Sequence, residues 1–232
     1  MSARVRVKIC GVTNREDALA AIAFGADALG FNLFSGSKRF LEIDREAAWI
    51  QALPPFVTRV AVLVNLPLDE ARRIAERPEF DLVQFHGDED AAYCAEFARL
   101  GRPFVKALRL REAASLEMAD RFSTPHVLLD AHIGATYGGT GTPIDLALAA
   151  ECVRRHPALR IILAGGLQPE TVAAAVRTVQ PYAVDVASGV EVEGEARRKC
   201  PVRMEWFLAE AQHSGLATST AEAVSASAQA TP

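Results

Sequence analysis

Eight times along the chain, a short apolar run ends in glycine or a reactive polar residue and then passes into an amphipathic helix. The endings are Cys10-Gly11, Phe31-Asn32, Val64-Asn65, Gln84-Phe85-His86-Gly87, Lys106-Ala107, Asp130, Ala164-Gly165-Gly166 and Ala187-Ser188-Gly189. The runs themselves predict strands at Val5–Cys10, Ala28–Leu33, Arg59–Asn65, Leu82–His86, Phe104–Ala107, Val127–Asp130, Ile161–Ala164 and Ala183–Ala187. Helical periodicity follows at Arg15–Phe24, Arg45–Leu53, Leu68–Arg77, Glu89–Leu100, Ile144–Arg155, Pro169–Thr178 and Arg203–Ala211, with a weaker signal over Arg111–Ala119. Strict alternation implies a parallel sheet, open or closed. Eight units in 232 residues favour closure, hence an α/β chain forming a single-domain (βα)8 TIM barrel. Every strand of such a barrel delivers its C-terminal end to one face, so residues far apart in the chain meet in one pocket. An enzyme is the expected class.

Local signals agree with this division. Thr13-x-x-Glu16 has the pattern of a capping box opening the first helix, and Gly25 follows its last apolar positions as a stop. The barrel is expected over residues 1–212. Residues 213–232 are Ala/Ser/Thr-rich, almost without large apolar side chains, and are expected to form a disordered tail.

Half the residues are apolar, enough for a full core, and the net charge is −4 with the two signs interspersed. That balance argues against nucleic acid or an anionic membrane as partner. A phosphorylated substrate would be met by backbone N–H groups and a few chosen basic residues. The N-terminal segment lacks a signal-peptide hydrophobic region, and no apolar stretch is long enough to span a bilayer. Cys10, Cys94, Cys152 and Cys200 show no C-x-x-C spacing, so neither a structural zinc nor a disulfide framework is expected. A soluble cytoplasmic protein with reduced thiols follows.

Strand side chains alternate between the barrel interior and the helix layer. If Cys10 faces inward, so do Lys8 and Arg6. The same parity places Gln84 with His86, Phe104 with Lys106, Leu128 with Asp130, and Asp185 with Ala187 inside. A purely packed barrel would hold branched apolar residues there. Lys8, Gln84, Lys106 and Asp185 must therefore be paired or reach the open mouth.

Several residues carry chemistry, each with a plainer alternative. Cys10 precedes a helix N-terminus with Lys8 one pleat below, which would favour thiolate and suit a base or nucleophile; many cysteines are merely small buried residues. Asp130 is either a catalytic carboxyl or a turn cap. The glycine-rich segment Gly134 to Gly141, including Gly139, Thr140 and Gly141, either lets backbone approach a ligand or is a bare flexible loop. Gly165-Gly166 and Ser188-Gly189 end the seventh and eighth strands, where barrel enzymes often bind phosphate. His86 is a proton carrier, a substrate donor, or a partner for loop backbone. Arg39, in Ser37-Lys38-Arg39-Phe40, is solvated or reaches a substrate carboxylate. His132 lies near Asp130 in sequence, while His126, His156 and His213 read as structural or solvated.

Together these segments resemble the phosphoribosylanthranilate isomerase family of tryptophan biosynthesis, over about Val5 to Phe207. Four segments carry the resemblance. They are Lys8 to Thr13; Gln84 to Glu89; Leu128 to Ala131 with Gly138 to Gly141; and Leu163 to Leu167 with Asp185 to Glu191. The resemblance implies an Amadori rearrangement of N-(5-phosphoribosyl)anthranilate to the 1-deoxyribulose 5-phosphate product. It implies Asp130 as general acid at the ring oxygen and Cys10 as general base at C2′. Arg39 would lie near the anthranilate carboxylate. Gly165, Gly166, Ser188 and Gly189, with Gly139, Thr140 and Gly141 above, would form the phosphate cradle. His86 and Asp185 join the substrate-binding set. No metal or organic cofactor is implied. The partner is a small phosphorylated sugar–anthranilate substrate, and the assembly a monomer or homodimer.

The chain departs from the family pattern at three places. Lys38 stands where proline is common, Ala187 stands where serine is usual, and Glu193 to Cys200 replaces a Pro-Gly-x-Lys-Asp stretch. Rival readings are less well matched. The ProFAR isomerase of histidine biosynthesis uses an aspartate where Cys10 stands, and indole-glycerol-phosphate synthase needs a lysine and glutamate set with no counterpart here. A non-catalytic metabolite-binding barrel would keep the glycine loops but lose Cys10 or Asp130.

Overall fold

The eight apolar runs pair in chain order as parallel strands, and the last returns to the first to close a barrel. A computed structural model describes residues 4–110, 117–131 and 143–228, with side chains through Ser214. The strands are β1 (Arg6–Cys10), β2 (Ala28–Asn32), β3 (Thr58–Leu63), β4 (Leu82–Phe85), β5 (Phe104–Leu110), β6 (His126–Ala131), β7 (Arg160–Leu163) and β8 (Ala183–Val186). Around them lie α1 (Arg15–Ala23), α2 (Ile43–Gln51), α3 (Leu68–Ala75), α4 (Ala91–Ala98), α5 (Leu146–Arg155), α6 (Pro169–Val179) and α7 (Pro201–Ala228). A short antiparallel hairpin, β9 (Glu191–Val192) with β10 (Glu195–Lys199), fills the altered segment before α7. Most of the helix signal over Arg111–Ala119, and all of Gly134 to Gly141 with His132, lie outside the described residues. No helix among the described residues is long and apolar enough to cross a membrane.

Two apolar layers hold the barrel. The larger lies between sheet and helices and buries Val7, Ile9, Leu29, Phe31, Leu63, Phe85, Val127, Leu129, Leu163 and Val184. The smaller fills the interior with Val105, Ala107, Leu128, Ile162, Ala164 and Ala183. The assignment of Arg6, Lys8, Gln84, Leu128, Asp130 and Asp185 to the interior agrees with this division. Strand five does not. Val105 and Ala107 line the interior, while Phe104 joins the outer layer and Lys106 points the same way. The phase is fixed by aromatic packing. Phe104 meets Phe85 at 5.4 Å and Phe97 at 5.5 Å between ring centroids, in a space the narrow barrel interior cannot offer. Burying one such ring is worth roughly 1.5–3 kcal/mol, so the ring sets the register of its strand.

At the N-terminal end of the barrel the interior is filled differently. The Arg6 guanidinium lies 4.4 Å from the centre of the Tyr182 ring and that of Arg160 lies 5.4 Å away. The charged stems thus pack on an aromatic face while their heads stay near water.

Two local expectations change. The N-cap of α1 is Asn14, whose side chain accepts from the Asp17 amide at 2.8 Å, while the Thr13 hydroxyl donates to the Arg197 carbonyl of β10. The hydroxyl is taken by a tertiary partner, and the next residue supplies the cap. The last helix also continues through Ala228, beyond Ala211 and into the segment expected to lack order. Alanine carries the highest helix propensity, so a backbone already started by α7 continues there without large apolar side chains.

Candidate active site

Barrel closure itself builds the first part of the site. β1 and β8 pair with Lys8 opposite Asp185, and the Lys8 ammonium donates to Asp185 Oδ1 at 2.8 Å with both side chains buried. One pleat higher, Cys10 lies opposite Gly30 of β2. A Cβ on Gly30 would stand 2.8 Å from Cys10 Sγ and 2.9 Å from Lys8 Nζ, so glycine leaves the space those two groups occupy.

The expected thiolate is overturned in the free chain. Burial is the largest influence and pushes the Cys10 thiol above its ordinary range; Lys8 opposes this and Asp185 reinforces it. Lys8 cannot prevail because its charge is shared with Asp185. That carboxylate, with Cys10, outweighs burial and holds the Lys8 ammonium above its ordinary range. Cys10 is half-buried and its resting form is the thiol.

Across the mouth, β6 ends in Asp130, which is 8% exposed. Its Oδ1 accepts from the Ala131 amide at 2.9 Å, and its Oδ2 lies 3.2 Å from His86 Nε2. His86 Nδ1 in turn lies 2.8 Å from Gln84 Nε2. With the Gln84 amide donating, the imidazole proton sits on Nε2 and points at Asp130. Gln84 Oε1 is buried without a hydrogen-bond partner among the described residues. Turning that amide over would satisfy Oε1 with an Nδ1 proton, so Gln84 suits either protonation form of His86.

The loop carrying His86 is braced from outside the barrel, which the sequence did not reveal. Lys106, expected inside, instead donates to Glu89 Oε2 and to the Gly87 carbonyl, each at 2.8 Å. Glu89 also accepts from the Gly87 amide at 3.0 Å and the Asn65 amide at 2.8 Å. A side chain on Gly87 would put its Cβ 2.3 Å from Asn65 Oδ1. The loops after β3 and β4 are therefore locked together by one buried carboxylate.

The glycine pairs after β7 and β8 are also brought together. Gly165 and Gly166 have φ of +86° and +65°, a left-handed pair that glycine adopts without strain and that leaves the backbone of this turn bare of side chains. A Cβ on Gly165 would lie 2.7 Å from the Ala131 amide, and one on Gly189 2.0 Å from the Leu167 carbonyl. A cavity of about 660 Å³ opens beside Gly166, Ser188, Gly189 and Glu191. The third expected phosphate element, Gly139, Thr140 and Gly141, lies outside the described residues.

Arg39 is buried beside Gly11, where a Cβ would stand 2.3 Å from Arg39 Cδ. Its Nε and Nη2 donate to the two oxygens of Glu191 at 2.5 and 2.9 Å. Lys199, fully buried on β10, donates to the same Glu191 carboxylate at 2.9 Å and to the Ala187 carbonyl at 3.0 Å. Gly30, Glu89, Glu191 and Lys199 are thus functional candidates that motif reading missed. Glu89 and Glu191 lay within quoted segments but were given no role, and the altered stretch before α7 hid Lys199.

The chain matches the N-(5'-phosphoribosyl)anthranilate (PRA) isomerase family over residues 7–198. A protein of that name from Citrifermentans bemidjiense is 45% identical over 207 residues, covering 89% of this chain and 97% of the relative. The crystal structure of phosphoribosyl anthranilate isomerase from Thermus thermophilus superposes with a TM-score of 0.79 at 37% identity, covering 89% of this chain and 98% of the other. A phosphoribosyl anthranilate isomerase in complex with reduced 1-(o-carboxyphenylamino)-1-deoxyribulose 5-phosphate gives 0.76 at 33%, covering 90% and 99%. With the closed barrel and this arrangement of its C-terminal mouth, they show that the chain belongs to the N-(5'-phosphoribosyl)anthranilate isomerase family.

Proposed function

We propose that the chain converts N-(5'-phosphoribosyl)anthranilate to 1-(2-carboxyphenylamino)-1-deoxyribulose 5-phosphate, an aldose–ketose isomerisation of tryptophan biosynthesis in the cytoplasm. The observation that carries this reading is the placement of Asp130 at the end of β6 and Cys10 at the end of β1, at one mouth. Only β7 and β8 separate these strands, and the glycine turns that follow them, Gly165-Gly166 and Ser188-Gly189, are the proposed anion nest. A sugar phosphate anchored at that nest would lie between an acid and a base.

The substrate phosphate sits on the amides around Gly165, Gly166, Ser188 and Gly189, and the family resemblance adds Gly139, Thr140 and Gly141, outside the described residues, to the same group. Arg39 receives the anthranilate carboxylate. Asp130, protonated, gives its proton to the furanose ring oxygen; the C1′–O bond breaks and the nitrogen lone pair forms the iminium. Cys10, as thiolate, takes the C2′ proton, and the C–H electrons form the enolamine, which tautomerises to the ketone. His86 orients Asp130 and passes protons to it, and Asp185 holds Lys8 beneath the sulfur. The reactive form, thiolate with carboxylic acid, holds the same number of protons as thiol with carboxylate. Once the iminium forms, its positive charge favours the thiolate that burial disfavours in the free chain.

The test follows the fluorescence change as purified protein consumes freshly made substrate. Cys10→Ala and Asp130→Ala are each expected to abolish turnover while keeping the parent circular dichroism spectrum. Turnover of either variant at the parent rate would remove the role given to that residue.

A further inference from the structure

Among the described groups around the mouth, one buried charge is left over. Arg39 and Lys199 are both cations, and Glu191 is the carboxylate they share. Lys199 is fully buried and its remaining contact is the neutral Ala187 carbonyl. Two positive charges and one negative charge leave the cluster at +1, with Lys199 fully buried and Arg39 and Glu191 at the edge of the cavities of the mouth. Burial presses the Lys199 ammonium below its ordinary range; Glu191 works against this, and the like charge of Arg39 adds to it. Such a cluster attracts one further anion.

The geometry says where that anion fits. Glu191 occupies the Nε–Nη2 side of the Arg39 guanidinium and is its carboxylate partner among the described residues. A guanidinium has five N–H donors in a planar fork, so the Nη1–Nη2 edge stays available for a second bidentate partner. Glu191 thus fixes the plane and rotation of Arg39, and Gly11 allows the stem to lie against β1. With a carboxylate on the free edge the cluster becomes neutral, with two charges of each sign.

We propose that Lys199 is a specificity-determining positioning residue: it supplies the second cation that lets the Glu191-clamped Arg39 accept a carboxylate on the arylamine of the substrate. The inference rests on the isomerase reading above and names the residue that makes the site select an anionic aromatic amine. Without Lys199, Arg39 and Glu191 already neutralise each other. A bound carboxylate would then leave one uncompensated buried negative charge, which is costly.

The experiment compares kcat/KM for N-(5-phosphoribosyl)anthranilate with that for N-(5-phosphoribosyl)aniline, which lacks the carboxylate. Both form by condensation of the amine with the phosphosugar. The parent chain, Lys199→Gln, Lys199→Met and Lys199→Arg are measured. The parent should prefer the carboxylate substrate, and Lys199→Gln and Lys199→Met should reduce that preference about tenfold or more. Lys199→Arg should keep it within about threefold, because the charge remains. Partial unfolding lowers both rates equally and cancels in the ratio. A preference in Lys199→Gln and Lys199→Met within about threefold of the parent overturns the proposal, whatever the absolute rates. If the parent turns over neither compound, the isomerase reading itself fails, a result distinct from an unchanged ratio in an active enzyme.

Discussion

Gly30→Ala adds one methyl group between the two side chains that set the reactivity of Cys10. Gly30 is not among the positive-φ glycines, so alanine fits the backbone, and the whole effect comes from the new Cβ. That Cβ would stand 2.8 Å from Cys10 Sγ, 2.9 Å from Lys8 Nζ and 3.0 Å from Lys8 Cε. Ordinary contacts between such atoms lie at about 3.5–4.0 Å, so sulfur and ammonium must each retreat by roughly 1 Å. Both are ends of side chains, so the fold absorbs the change at about 1–3 kcal/mol, or a fall in Tm of roughly 2–12 °C for a domain of this size. Catalysis does not absorb it. A displacement of about 1 Å at a reacting atom costs on the order of a hundredfold in rate. The loss should appear in kcat with KM little changed, since the new Cβ meets Cys10 and Lys8 and none of the residues proposed to anchor the phosphate and carboxylate. The assay is fluorescence-followed turnover beside thermal unfolding by circular dichroism. A Gly30→Ala enzyme that keeps kcat within about threefold of the parent would refute the placement of Cys10 as the base.

Two further perturbations test the surroundings. Lys106→Met leaves Glu89 buried with only backbone amides for partners, which should cost about 3–5 kcal/mol and lower Tm by roughly 6–20 °C, whereas the double variant Lys106→Met/Glu89→Gln should recover much of the loss; equal Tm values for parent and Lys106→Met would deny the brace. Cys10 should be alkylated by iodoacetamide appreciably only above the ordinary thiol pH range, because its thiol is held up chiefly by burial. Lys8 is the main group pulling it down, so Lys8→Met should move the alkylation profile still higher in pH; a profile that moves lower would contradict the sign assigned to Lys8.

The fold was legible because each of its eight units carries its own signal, an apolar run followed by a helical period. The position of Cys10, Asp130 and the two glycine pairs at one mouth was legible for a related reason: each follows or closes an apolar strand run, and the barrel brings those ends to one face. What stayed hidden depended on partners far away in the chain. Lys106 lay one position from the expected interior because the packing of Phe104 against Phe85 and Phe97 chose the strand phase. No local pattern contains that choice. Gly30 reads as an ordinary strand glycine until Lys8 and Cys10 are placed opposite it. Lys199 sits in a segment of alternating charge, Glu193 to Lys199, where six of seven residues look solvated and only the pairing with β9 turns the last one inward. The thiolate expectation for Cys10 failed first because burial raises the thiol more than Lys8 lowers it, and then because the pairing of Lys8 with Asp185, 177 positions on, could not be read from adjacency.

The distribution of buried charge follows from the chemistry proposed for this mouth. The reaction passes through an iminium at C1′, a positive charge that arises close to Cys10. An unpaired Lys8 would favour the thiolate but would also repel that iminium, and the repulsion would outweigh the gain in rate. Pairing Lys8 with Asp185 at 2.8 Å removes the net charge while leaving an N–H donor directed at the sulfur. The uncompensated cation is placed instead in the cluster of Arg39, Glu191 and Lys199, at the end of the site that receives the carboxylate. In the proposed complex the phosphate is met chiefly by backbone amides, whose partial charges fall off steeply with distance. The proposed phosphate contacts thus put no full charge near the carbon where positive charge develops, and the charges of Arg39 and Lys199, which reach Cys10, are offset in part by Glu191. Asp185→Asn puts this division to use: it would free the charge of Lys8, ease ionisation of Cys10, and still slow the isomerisation. A faster enzyme would show that thiolate formation, not the iminium, governs the barrier.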